Sequence, residues 1–432
     1  MIRKILVALL LVITTTLSAQ RTNSSPYSFF GIGEEFNSQT VEQASMGGIG
    51  VAFSHYKYLN FTNPAAYSDL RYTTYSFGLL NNNLTINNGS VEQNANSTSL
   101  SYVAIAFPLG NKAGFSLGLQ PLSSVGYALS NSSYDNNTGE ILEITGFSGN
   151  GGVNRLYGSF GIKIFKNFSL GLEADFNFGK VDNSIINQKS GVALATKYFE
   201  SSRVRGGSIK FGLQHQKSFK NDIVLNTGAT VKLGNNLRTN GRDYLYSLAF
   251  TNLGEDPKDT LSTNVIDGKY RLPLKTNIGV GLGKLDKWYA GVEYEMQDAV
   301  ETSGITSAVN SAYRYGNSNK ISFGGFYLPK VNSINSYWDR VTYRAGVRFE
   351  NTGLLVDGSG NNSNFTPIND FGISFGLGLP LKQLSTINAG FEFGQRGTTN
   401  NNLIKENYFN FRVSLSLNAF GRQAWFQKRR ID

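Results

Sequence analysis

From Tyr72 onward, apolar or aromatic residues alternate with Gly, Ser, Asn or charged residues at a period of two, the spacing that sends successive side chains to opposite faces of a β-strand. Phe168, Leu170, Leu172, Ala174, Phe176 and Phe178 are separated by Ser169, Gly171, Glu173, Asp175 and Asn177, so one face is greasy and the other wettable. Phe115-Leu117-Leu119, Phe160-Ile162-Ile164, Ile278-Val280-Leu282, Ile387-Ala389-Phe391-Phe393 and Phe409-Phe411-Val413-Leu415-Leu417 repeat the pattern. It predicts strands over 72–87, 96–108, 113–130, 152–165, 167–182, 204–218, 222–234, 268–284, 287–300, 319–328, 339–351, 369–379, 385–395 and 406–418. That is about 14 strands, an even number as in bacterial single-chain barrels.

The links between them alternate in length. Short ones fall at 110–112, 166–167, 220–221, 285–286 and 380–384, with a longer one at 329–338. Asn-, Ser- and Gly-rich ones fall at 88–95, 131–151, 183–203, 235–267, 301–318, 352–368 and 396–405. Tight turns on one side and elaborate loops on the other mark a transmembrane antiparallel up-and-down barrel, and the count of links leaves both termini in the periplasm. A soluble sandwich or solenoid would also alternate, but would not turn so many aromatic residues outward. Tyr102, Phe107, Tyr127, Tyr157, Phe165, Trp288, Tyr289, Tyr327, Trp338, Tyr343 and Tyr408 are candidates for interfacial girdles.

Composition agrees with an all-β membrane protein. The 432 residues include 48 Gly, 30 Phe and 22 Tyr against 9 Pro and 3 Met, and only 16% are charged. With no cysteine, a disulfide framework, a thiolate nucleophile and a lipid-modified N-terminal Cys are excluded. The net charge of +10 is scattered along the chain rather than gathered on one face, which argues against nucleic-acid binding. Residues 1–19 read as a signal peptide: Arg3 and Lys4, an apolar run from Ile5 to Ile13, then Ser18-Ala19-Gln20. That run is too short to span about 30 Å of hydrocarbon comfortably as an anchor.

Residues 20–71 differ in character from the alternating region. Ser25-Pro26-Tyr27-Ser28-Phe29-Phe30-Gly31-Ile32-Gly33, then Met46-Gly47-Gly48-Ile49-Gly50-Val51-Ala52, then Asn63-Pro64-Ala65-Ala66-Tyr67 are rich in small residues and turn formers. Such a segment packs closely against a barrel wall and is read as a luminal hatch, since its aromatics would be costly in water. The alternative is a flexible periplasmic tail. The domain reading is therefore signal peptide 1–19, hatch 20–71, barrel 72–418 and periplasmic tail 419–432.

Through Met46, Gly47, Gly48 and Gly50, followed by Asn63, Pro64, Ala65 and Ala66, and through the strand count, the chain resembles the FadL-like outer-membrane transport proteins, more closely their Bacteroidota relatives. The resemblance implies a fourteen-stranded barrel closed by an N-terminal hatch, through which hydrophobic molecules cross the outer membrane without energy input. Related barrels in that phylum serve as subunits of the type IX protein-secretion translocon, one kind as a plug. That implies a second reading, a non-conducting barrel held by protein–protein contacts with a large translocon barrel. The basic-aromatic tail with Trp425, Phe426, Lys428, Arg429 and Arg430 is then the candidate docking element. A surface adhesin ranks last, because the loops are small and polar.

Candidate chemistry is sparse. His55 and His215 are the two histidines, and a barrel phospholipase built from His215 with Ser208 or Ser218 is disfavoured, since a lone strand histidine reads as lumen lining. Gly31-Ile32-Gly33 and Gly47-Gly48-Ile49-Gly50 lack the Lys-Ser/Thr that a phosphate loop needs. Glu255, Asp256 and Asp259 in one long link read as a solvated acidic loop before a calcium site. The expectation is no catalytic residue, metal or cofactor, with partners limited to outer-membrane lipid, a hydrophobic ligand or a translocon barrel. Glu173, Asp175, Lys163, Lys210, Lys232, Glu293, Glu295, Arg344 and Arg348 are expected to face the lumen and pair across it. The same facing predicts that Gly171→Arg is tolerated in the pore, whereas a charge facing lipid costs about 2–4 kcal/mol.

Overall fold

A computed structural model describes residues 23–303, 312–381 and 384–419. The signal-peptide reading of 1–19 and the tail residues Trp425, Phe426, Lys428, Arg429 and Arg430 lie outside these residues. The strands are β1 (Glu34–Glu35), β2 (Thr73–Asn87), β3 (Glu92–Leu109), β4 (Ala113–Tyr134), β5 (Ile141–Phe165), β6 (Phe168–Lys189), β7 (Ala195–Ser218), β8 (Ile223–Lys232), β9 (Asn235–Thr251) and β10 (Gly254–Leu272). They continue with β11 (Lys275–Lys284), β12 (Trp288–Gln297), β13 (Glu301–Ser303), β14 (Tyr313–Tyr315), β15 (Ser318–Tyr327), β16 (Thr342–Val356), β17 (Thr366–Pro380), β18 (Thr386–Gly397) and β19 (Lys405–Ala419). One helical turn, α1 (Val41–Ala44), precedes the barrel.

Every pairing is antiparallel, and β19 returns to β2 from Lys405↔Asn87 to Ala419↔Thr73, which closes the sheet on itself. Closure is what lipid demands, because hydrocarbon offers an open strand edge no hydrogen bonds. The wall has fourteen strands, four of them broken in two. β8 runs on into β9 along β7, and β10 runs on into β11, the breaks falling at Leu233–Gly234 and Pro273–Leu274. In the same way β13 continues β12 and β14 continues β15. The predicted strand 268–284 is thus two segments, interrupted where Pro273 brings no N–H to the ladder.

Most of the predicted long links are strand. The β9–β10 hairpin occupies 235–267 and turns at residues 252–253, and β4–β5 and β6–β7 climb until only 135–140 and 190–194 remain as links. These upper strands are polar because water bathes them, so polarity there reports the solvent and not the backbone conformation.

The apolar belt is read most easily on β6. Leu172, Phe176 and Phe178 are exposed outward, and Lys180 and Asp182 follow on the same face. Phe168 to Phe178 is about the 9–11 residues that a tilted strand needs to cross a bilayer. Glu173, Asp175 and Asn177 are buried inward, and all nine predicted lumen-facing charges are buried or half-buried. The aromatic residues divide otherwise than expected. Phe165, Tyr327 and Trp338 lie outside, but Tyr102, Tyr127, Tyr157, Tyr289 and Tyr408 are buried inside, because their positions fall on the inward phase of the alternation.

Inside the barrel, residues 23–70 meet a ring of inward glycines. A Cβ on Gly114, Gly161, Gly171, Gly212, Gly228, Gly324 or Gly346 would come within 2.1–2.4 Å of this segment, mostly of its backbone. Gly161↔Gly171, Gly171↔Gly212 and Gly324↔Gly346 are directly opposed in the ladder, so the contacts form part of a belt on the wall. This corrects the expectation for Gly171. It faces inward, but the Ala65 nitrogen sits 2.1 Å from where its Cβ would be, so no side chain fits, least of all arginine.

The packing can be tested on the two faces of the wall. Gly346→Ala places a methyl 2.2 Å from the Gly47 nitrogen and is expected to cost about 1–3 kcal/mol, whereas Gly158→Ala meets only Phe115 at 3.9 Å and is expected to be neutral. Urea unfolding in detergent, together with protease access to the N-terminal segment, reads both. Leu172→Arg in the middle of the belt is expected to lose about 2–4 kcal/mol, seen as a lowered unfolding midpoint in bilayers.

Candidate luminal path and lateral seam

The N-terminal segment is held by local caps and by wall side chains. Ser25 caps a 3-10 turn at Pro26–Phe29, and its hydroxyl donates to Glu406 at 2.5 Å. Thr40 and Gln43 close a reciprocal capping box on α1, which fixes the short helix despite its single turn. Gly47 and Gly48 then carry φ of +70° and +87°, a reversal that residues with a Cβ resist. The N–H groups of Gly50 and Val51 donate to the Glu293 carboxylate at 2.7 and 2.9 Å. Asn63 caps a second 3-10 turn at Pro64–Asp69; its amide donates to the Val51 and Leu213 carbonyls at 2.7 and 2.9 Å. Thus Met46, Gly47, Gly48, Gly50, Asn63, Pro64, Ala65 and Ala66 are all buried inside the barrel, and the first and second halves of the motif are joined by this asparagine. Backbone groups inside a barrel need such partners as much as those in lipid do.

Buried charges above this floor pair in groups. Arg348 meets Asp370, Glu392 and Glu350 at 2.9–3.1 Å. Arg155 meets Glu173 and Asp175, with Lys210 on Glu173 at 2.9 Å and Lys232 on Asp175 at 3.4 Å. Lys275 and Lys320 share Glu295 at 3.5 and 3.1 Å. Three wall cations reach the segment itself: Arg396 binds Glu34 at 2.6 Å, Lys275 binds Glu35 at 2.8 Å and Lys163 binds Asp69 at 2.6 Å. Desolvation inside the bore pushes the Glu35 carboxyl up, but its side chain is half open to the luminal cavities and Lys275 holds it below its ordinary range.

Among the described residues, neighbouring wall strands part between β13 and β14, which pair only with β10 and β16, and between β3 and β4. β3 and β4 pair only from Val103↔Leu119 to Leu109↔Ala113. Above that level β3 stays with β2 while β4 stays with β5, and the two strands part. The cause is local. Ser101 is an extra residue in β3 and Leu122 an extra residue in β4, at the same height, and Pro121 beside the second bulge lacks a ladder donor. The gap opens at the upper margin of the belt, one level above Leu119, Leu156 and Phe176.

The N-terminal segment patches this gap from within. β1 pairs Glu34↔Ser124 and Glu35↔Ser123, and the Phe36 N–H donates to the Leu122 carbonyl at 2.8 Å. A cavity of about 470 Å³ lies at the seam, lined by Leu80, Leu100, Leu119, Pro121 and Phe36 among polar neighbours. Three smaller luminal cavities of about 100, 150 and 90 Å³ all border Glu35. The few residues from Glu34 to Asn37 are therefore the partition between lumen and seam. Neither β1 nor the seam is evident from the sequence; Pro121 inside a strand-like run is the one signal available.

The catalytic pair of His215 with Ser208 does not assemble. Ser208 is buried inside and donates to Asp175 at 2.6 Å, while His215 takes the opposite phase from the inward Gln214 and lies on the outer face against Phe168. The lumen-lining reading of His215 is corrected by this phase. On the β9–β10 hairpin Asp256 meets Lys258, and Glu255 meets Lys197 of the neighbouring β7, each at 2.5 Å. Among the described residues no group of three His, Asp or Glu side chains is arranged to hold a metal ion.

The fold is that of solved outer-membrane transport barrels. The toluene transporter TbuX of Ralstonia pickettii is 13% identical with a TM-score of 0.57, over 88% of this chain and 98% of that one. The toluene transporter TodX of Pseudomonas putida is 14% identical with a TM-score of 0.56, over 88% and 99%. A FadL homologue of Pseudomonas aeruginosa is 14% identical with a TM-score of 0.53, over 90% and 98%. No curated protein sequence matches. A closed fourteen-stranded barrel with an apolar belt and this likeness is an outer-membrane barrel, and the family model that matches spans residues 1–432: the chain belongs to the BamG family.

Proposed function

We propose that this barrel is a passive conduit for hydrophobic small molecules across the outer membrane, with a side exit at the β3–β4 seam. The observation that carries the reading is the seam itself. A long stretch of unpaired strand edge is costly beside lipid, and here two bulges and a proline create one at the belt margin, over a partly apolar cavity. A molecule that prefers lipid to water gains by leaving the lumen sideways at that height. In this reading residues 20–71 are the hatch, the short links and both termini face the periplasm, and the long strands stand outside the cell. The neighbours named toluene transporters share this fold and lend the ligand class, small and hydrophobic.

A second reading has its own observation. The glycine belt fits the N-terminal segment so closely that the lumen is stoppered at that level, as a non-conducting partner of a larger barrel, such as a plug of the type IX translocon, would require. The tail with Trp425, Phe426, Lys428, Arg429 and Arg430 would then serve docking.

The conduit reading predicts that Ser99→Trp, which puts a large ring into the seam cavity, lowers uptake of a labelled long-chain fatty acid or aromatic hydrocarbon at least five-fold in cells that rely on this barrel, with unchanged surface amount. Uptake equal to that of cells lacking the barrel, before any substitution, would sink it. Gentle extraction from the native membrane discriminates the second reading: a stoichiometric large barrel that co-purifies, and is lost when residues 420–432 are removed, is its expected outcome.

A further inference from the structure

The rim on the short-link side holds another cavity, of about 250 Å³, which neither the conduit nor the plug reading employs. Its inner side is the N-terminal segment at residues 53–56; its outer side is the start of β8, the β11–β12 turn and the end of β15. Three rings pack together there. Phe53 lies 5.0 Å from Tyr289 and 6.0 Å from Phe326, and Tyr289 stacks on Phe326 at 6.3 Å with planes 18° apart. Val224 adds apolar surface, and Gly283 opposite it contributes no side chain to the space.

The polar groups around this cavity are already matched. Asp286 accepts from His55 Nε2 at 3.2 Å and from the Tyr56 hydroxyl at 3.0 Å. The Lys57 N–H donates to His55 Nδ1 at 3.4 Å, so the imidazole is the neutral Nε2–H tautomer, and burial lowers its pKa. Asp69 takes Lys163 at 2.6 Å and Ser54 and Gln216 at 2.7 Å. Lys284 rests on Asp222 at 3.1 Å, and Arg71 is folded back on the Ser68 and Leu70 carbonyls. With every charge paired, the site has no electrostatic demand for an ion, and what it offers is aromatic surface.

We infer that this rim cavity binds a small neutral aromatic molecule, its ring set against Phe53, Tyr289 and Phe326. A cavity of about 150 Å³ lined by apolar side chains already holds benzene, so the space here admits a substituted ring or two fused rings. Within the conduit reading, on which its role rests, the site holds the cargo that passes the N-terminal segment instead of leaving at the seam.

A tryptophan put in the wall of the site reports on it directly. The chain has three tryptophans, so Trp288→Phe, Trp338→Phe and Trp425→Phe combined with Phe326→Trp in the full chain leave one emitter, on the inward face opposite Arg344. In lipid nanodiscs, bromobenzene is expected to quench it saturably, and benzene to relieve the quenching by competition. Val224→Phe, which fills the cavity, is expected to raise the half-quenching concentration about ten-fold, a loss of about 1.4 kcal/mol. Quenching that rises linearly and is untouched by benzene reports partition into lipid and overturns the site, a result that needs no variant to fold. Saturable quenching in a barrel that supports no uptake overturns the conduit and leaves the site; uptake with linear quenching does the reverse.

Discussion

A bilayer offers the backbone no partner, and this constraint orders the rest of the structure. Fourteen strands satisfy it by pairing around a full circle, down to Lys405↔Asn87 where the last strand meets the first. Against that ladder, the parting of β3 from β4 is a departure among the described residues that calls for a local cause. The departure stands at the margin of the belt, where water and head groups reach the unpaired edge, and not at mid-depth, where they do not. Two bulges at one height and a proline beside one of them set its level.

The same constraint acts on the bore. A segment threaded inside the barrel is as far from bulk water as one in lipid, and its peptide groups are satisfied by wall side chains: Glu293 for Gly50 and Val51, Ser374 for Gly47, Gln214 for Val51 and Phe53, Lys210 for Phe61. Side chains can reach only if the backbones come close, and inward glycines supply that approach. The segment and the belt therefore explain each other. Neither would be stable alone, since a bare glycine belt leaves a void and an unsupported segment leaves orphaned donors.

Strand number, facing and the inward charges were legible from the sequence because a period of two survives in every stretch that touches lipid. Leu172 against Glu173 is decided by phase alone. Strand ends were not legible: 131–134 and 141–151 are polar on both faces, and ladder pairing in water leaves no hydrophobic trace. Nor were the buried tyrosines, since Tyr102 and Tyr157 sit at heights where an outward girdle would also place them. The glycine belt was hidden for a subtler reason. A glycine on the inward phase reads equally as the lining of a watery pore, and only the contact with the segment inside tells the two apart. The motif around Met46 and Asn63 was visible as a run of small residues, while the hydrogen bond from Asn63 to Val51 that unites its halves needed coordinates.

Heights on the wall separate the questions of entry and passage. Gly171 and Phe178 lie seven residues apart on β6, about 20 Å along the strand, so the belt of glycines and the seam occupy different levels. Between the luminal cavities and the seam stand only Glu34 to Asn37, held by one ion pair at each glutamate, by two bridges to β4 and by the Phe36 N–H. Rearranging those few residues joins the upper lumen to the lipid without disturbing the belt. Reaching the opposite rim requires a path past Met46 and Ala65, where backbone lies on backbone. In the conduit reading a molecule is exchanged between that end of the lumen and the membrane at small structural cost, while full transit depends on a segment that the wall grips along most of its length. The stoppered and the conducting readings differ in that lower half alone.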